Sequence, residues 1–88
     1  MEYIISKHCK EQMTLRNIPE YIIDKILNTS DNIIRQDDCT LIYQSIISDE
    51  NQKSYLYRIF VNICKQPYLV ITAYRTSKIN KYHEDKIR

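Results

Sequence analysis

Eighty-eight residues with a hydrophobic fraction of 43% suit one modest core with no room for a second, and are too apolar for a disordered chain. The net charge of +2 divides unevenly, −4 over residues 1–50 and +6 over residues 51–88, so the second half is the one that attracts a polyanion or an acidic protein. Glycine is absent, which excludes a phosphate-cradling glycine loop, and no run approaches the roughly 20 apolar residues that span a bilayer.

In chain order, EYIIS (2–6) reads as a short strand, with Ser6 an N-cap for a helix running to about Arg16. Asn17 ends that helix in the left-handed conformation, and Pro19 suits the first turn of a second helix. Ile22, Ile23, Ile26 and Leu27 give this second helix one apolar face, which the run NTSDN (28–32) stops. The period then changes to two, placing strands near 32–36, 40–48, 54–64 and 67–76. Their short connections imply antiparallel neighbours, since a parallel crossover takes about a dozen residues or more. In the last strand Leu69, Ile71 and Ala73 form the apolar face toward the helices, and Val70, Thr72 and Tyr74 the other. Ile22, Ile26, Ile71 and Ala73 are the expected core. The fold class is therefore α+β, two N-terminal helices on one face of an antiparallel sheet of three to four strands.

The start, MEYIISKHCK, lacks the form of an export signal, so a cytoplasmic protein is expected. Cys9, Cys39 and Cys64 are odd in number and far apart, which suits reduced thiols and no metal site. His8, Gln12 and Arg16 share one stripe of the first helix. An imidazole and a guanidinium there serve proton transfer and phosphate binding, or are simply a solvated stripe. The segment TAYRTSKINKY (72–82) gathers Tyr74, Arg75, Lys78, Lys81 and Tyr82 at the end of the last strand, with Arg58 on the strand beside it. Cations, hydroxyls and rings in one place suit phosphate contact and base stacking, while a basic tail also commonly finishes a domain.

His8, Met13, Arg16-Asn17-Ile18 and, much later, VITAYRTSKINKY together resemble the domain of unknown function family 4258, over roughly residues 3–83. That family is similar to the RelE/ParE and BrnT toxin group, which implies a single RelE/BrnT-like domain over residues 1–88. The resemblance implies a bacterial toxin encoded beside an antitoxin, acting as an endoribonuclease on RNA, on or off the ribosome. Toxins of the RelE kind use Lys, Arg and Tyr and no metal, so no cofactor is expected. Attack by the 2′-hydroxyl then needs proton transfer, for which His8 and Tyr74 are the candidates. Arg16, Arg58, Arg75, Lys78, Lys81 and Tyr82 would hold RNA and its phosphates. The expected partners are RNA and a small acidic antitoxin, with no membrane. The alternative is a non-catalytic module that binds nucleic acid or protein through the same basic surface. A third reading is the poisoning of a protein target, since some ParE-like relatives act on gyrase.

Overall fold

A computed structural model describes residues 1–79. The elements run β1 (Tyr3–Ile5), α1 (Lys7–Leu15), α2 (Glu20–Thr29), β2 (Asn32–Arg35), β3 (Thr40–Ser48), β4 (Ser54–Asn62) and β5 (Tyr68–Thr76). The expected α+β order of two helices followed by a run of strands is present. The sheet, however, has five strands in the order β1-β5-β4-β3-β2 and is mixed, which corrects the expectation of three to four antiparallel strands. The hairpin-linked strands β2 to β5 are antiparallel, as their short connections require. β1 escapes that argument. Two helices and three strands separate it from β5, and it docks parallel with Ile5 opposite Val70.

Polar side chains do the work that glycine does elsewhere. Ser6 Oγ accepts from the Cys9 amide and caps α1. At the other end Asn17 takes φ 54°, while the Ile18 amide donates to the Met13 carbonyl and that of Asn17 to Thr14. This is a Schellman termination with asparagine at its left-handed position. Pro19 stands one residue before its expected place, as the extended N-cap of α2. In the hairpin turns Asp37, Asp49 and Asn62 each turn a side-chain oxygen onto a backbone amide two residues ahead. The Cys39 amide, donating to Asp37, holds that carboxyl below its usual range.

Ile18, Ile22, Ile23, Ile26 and Leu27 pack with Cys9 and Met13 of α1 onto Tyr43, Ile59, Val61, Val70 and Ala73 of the sheet. Burial pushes the Cys9 thiol up to about 11, so it stays protonated and inert at neutral pH. Of the expected core residues of β5, Ala73 is buried but Ile71 needs correction, as does the inward face given to Leu69. Phe60 pairs with Thr72 but Val61 pairs with Val70, so Ile71 is an extra residue in a bulge. The bulge reverses the alternation: Val70 and Ala73 both bury completely, while Ile71 and Leu69 stay half-exposed.

Reduced thiols were expected throughout, yet Cys39 and Cys64 are bonded to each other. The β3–β4 register explains the pairing. Thr40 lies opposite Asn62, so the next residues outward, Cys39 and Ile63, meet, and Cys64 stands diagonally across. The bond closes a span of 25 residues, for which loop closure gives about 3–4 kcal/mol. Cys39→Ser should lower stability by about that amount in urea titrations. Reductant should weaken the native protein equally and leave the variant unmoved.

Candidate functional site

Three strands carry one row of polar side chains across the sheet, Gln44 opposite Arg58 and Arg58 opposite Tyr74. The neighbouring row, Tyr43, Ile59 and Ala73, belongs to the core beneath the helices. Side chains alternate along strands, so the Gln44 row points out of the opposite face. Arg58 Nε donates to Gln44 Oε1 at 2.6 Å, and Arg58 Nη1 donates to the Tyr74 hydroxyl, also at 2.6 Å. The guanidinium carbon lies 5.6 Å from the Phe60 ring centre and 5.8 Å from that of Tyr74, within range of a cation–π contact. The two rings are tilted, with centres 6.1 Å apart. Gln44 is almost wholly buried, so the row is held by a polar group unable to exchange its partner for water.

Arg16 reaches this cluster from the helix side. β1 covers only Tyr68 to Val70, which leaves the rest of that edge of β5 to other groups. Ser6 Oγ donates to the Ile71 carbonyl and Arg16 Nη1 to the Ala73 carbonyl. From this position the Arg16 guanidinium carbon stands 5.9 Å from the centre of the Tyr74 ring. One tyrosine therefore has two guanidinium groups near its ring, one of them hydrogen-bonded to its oxygen.

Arg75 lies on the other face. Its neighbour across β4 is Tyr57, whose hydroxyl accepts from Arg75 Nη1 at 3.3 Å, and its guanidinium stacks 4.3 Å from the Tyr55 ring centre. Lys53 Nζ lies 5.5 Å from the same ring centre. β5 thus ends with one cation–aromatic group on each face. His8 is exposed near the start of α1, and eight residues at the helical rise put it about 12 Å along the axis from Arg16. Lys78 is exposed just beyond β5, its amide bonded to Thr76 Oγ1. Lys81 and Tyr82 lie outside the described residues.

The structure therefore brings together Arg16, Arg58 and Tyr74 of the residues singled out from sequence, and sets Arg75 on the reverse side of the sheet. Gln44 and Phe60 were missed. A signal for Gln44 was present: it is a polar residue within the apolar run LIYQSII, and a hairpin centred on Asn51 places it opposite Arg58.

Guanidiniums, a hydroxyl and aromatic rings in one place are the groups that phosphate contact and base stacking call for. Among the described residues no three His, Cys, Asp or Glu side chains gather to hold a metal ion, and no helix is long and apolar enough to cross a membrane. A family model described as "Domain of unknown function (DUF4258)" matches residues 5–75. No curated protein and no solved structure matches the chain.

Proposed function

The chain belongs to the DUF4258 family, and from its resemblance to the RelE/BrnT toxin group together with the side chains of its site we propose that it is an RNA-directed toxin of that kind, cleaving RNA without a metal. One observation carries the reading: Tyr74 stands between Arg58, bonded to its oxygen, and Arg16, beside its ring. The reaction is attack of the 2′-hydroxyl on the adjacent phosphorus with departure of the 5′-oxygen. It places a second negative charge on the phosphoryl group. Two guanidiniums fixed in advance near that charge lower the barrier more than mobile ones. Tyr74 is the proton-transfer group within the cluster. His8, on the Arg16 stripe of α1, is the candidate for the other transfer. Lys78, just beyond β5, supplies a further cation for the rest of the strand, and Arg75 is a phosphate-binding candidate on the reverse face.

The setting we propose is the cytoplasm, beside a small acidic antitoxin that covers the basic surface. That setting rests on the RNA target alone, since the bond between Cys39 and Cys64 is unusual in a reducing compartment. The direct test incubates antitoxin-free protein with single-stranded RNA and with translating ribosomes, each in the presence of a chelator. Cleavage leaving 2′,3′-cyclic phosphate ends is the expected result. Intact RNA under every condition removes the enzymatic reading.

A second reading is favoured by the distance between His8 and the cluster. With one proton-transfer group at hand, the same surface suits a module that binds RNA and does not cut it. Both readings require contact with phosphates. Binding should therefore weaken steeply with salt, and Lys78→Ala should flatten a plot of log affinity against log salt by about one unit or less. Salt-independent association would point to a protein target instead.

A further inference from the structure

A concave pocket of about 450 Å³ opens on the helix side of the sheet, between the α1–α2 turn and the β3–β4 turn. Its floor is the cross-strand pair Tyr57 and Arg75, and Asn17, Tyr21, Asp49 and Glu50 are among its walls. We infer that this pocket takes one unstacked base of the bound RNA, and that the base is guanine; the inference rests on the RNA reading above and adds a sequence preference to it.

The argument starts from the pairing of opposite polar groups in one cavity. A pocket for a phosphate alone gains from Arg75 but is penalised by Asp49 and Glu50. A neutral base that offers acceptors on one edge and donors on another uses both signs. Guanine does so. Its O6 and N7 accept from a guanidinium fork, and its N1–H and N2–H₂ donate to a carboxylate. Adenine presents a donor at N6 where the fork needs an acceptor. Uracil presents one donor in place of two, and the pyrimidines leave more of the volume empty.

The groups are also held ready. Arg75 is half-buried, stacked on Tyr55 and bonded to the Tyr57 hydroxyl, so its plane is set before any ligand arrives. Asp49 is fixed by accepting from the amides of Asn51 and Lys53 through Oδ1. Tyr21 lines the pocket yet remains 71% exposed, an aromatic face available for the stacking that single-stranded RNA recognition uses. It sits on α2 with its neighbours Ile22 and Ile23 buried in the core, so its backbone is rigid.

The test measures binding of short uridine strands, 2′-O-methylated so that they cannot be cut, with one central position set to U, G, A, C or 7-deazaguanine. The full-length chain should hold the G strand about five- to a hundredfold more tightly than the U strand, the range of one bidentate base contact. 7-Deazaguanine, which lacks N7, should lose most of that gain. Arg75→Lys keeps the charge but not the fork, and should abolish the difference in affinity between the G and U strands. Tyr21→Ala, at an exposed position that does not endanger folding, should reduce the preference as well. Equal affinity for every base overturns the pocket and leaves the RNA reading standing. A preference for A or C, or an Arg75→Lys loss that is uniform across strands, overturns the guanine assignment. Failure of all strands to bind removes the RNA reading, and the pocket with it.

Discussion

Replacing Tyr74 by Phe is expected to lower the rate of RNA cleavage by about 10²–10⁴-fold, the usual contribution of one positioned acid or base. Only the hydroxyl oxygen is lost, with a ring hydrogen in its place. The ring remains beside Phe60, Arg16 and Arg58, so stacking and cation contacts survive and RNA binding should change little. The hydroxyl accepts from Arg58, which leaves its own hydrogen to donate toward the substrate. Arg58→Lys tests the same geometry from the other side. A lysine keeps the charge but cannot bridge Gln44 and Tyr74 as the guanidinium does. Arg58→Ala is a poorer probe, because it strands the buried Gln44 oxygen and so mixes lost function with lost stability. His8→Ala should slow the reaction less than the Tyr74 change, given its separation along α1. A Tyr74→Phe protein that is folded and cleaves at the native rate would rule out the assignment, leaving Arg16 and Arg58 as binding groups.

The local structure was largely legible because each turn in this glycine-free chain advertises itself. Ser6, Asn17 and Pro19 stand where the backbone changes direction, and Asp37 and Asp49 fall in the gaps between expected strands, whereas Asn62 ends β4 two residues inside the strand expected over 54–64. The misses share a cause of a different kind, since each depends on register. Period-two alternation cannot reveal the extra residue at Ile71, which exchanges the faces of everything before it. The parallel seat of β1 depends on a long crossover whose path no local pattern records. Cys39 and Cys64 meet only because the β3–β4 hairpin aligns Thr40 with Asn62. The candidate site was half legible for the same reason. Arg16, Arg58 and Tyr74 were visible as residue types, whereas the placement of Arg58 and Arg75 on opposite faces follows from their pairing with Tyr74 and Tyr57.

The bulge itself yields the second large effect. Ile59 is wholly buried at the centre of the sheet, with Tyr43 on one side and Ala73 on the other. Ile59→Ala should cost about 2–5 kcal/mol, because close packing prevents the walls from collapsing fully into the space. That is a large part of the roughly 5–15 kcal/mol that holds a domain of this kind together. An alternation read without the bulge makes Ile71 an equal partner in the core, so Ile71→Ala would cost as much. With the bulge in place Ile71 is half-exposed, and its truncation should cost less than about 2 kcal/mol. Val70 supplies the sharper comparison. It is smaller than Ile71 but buries completely against the helices, so Val70→Ala should destabilise more than Ile71→Ala despite removing fewer atoms. Urea titrations of the three variants give the order directly, provided their slopes match that of the native chain. If Ile71→Ala proves as costly as Ile59→Ala and Val70→Ala proves mild, β5 runs without a bulge. Tyr74 lies beyond the bulge and pairs with Arg58 in either case, so this outcome would change the faces of Leu69 and Val70 and leave the row of the site in place.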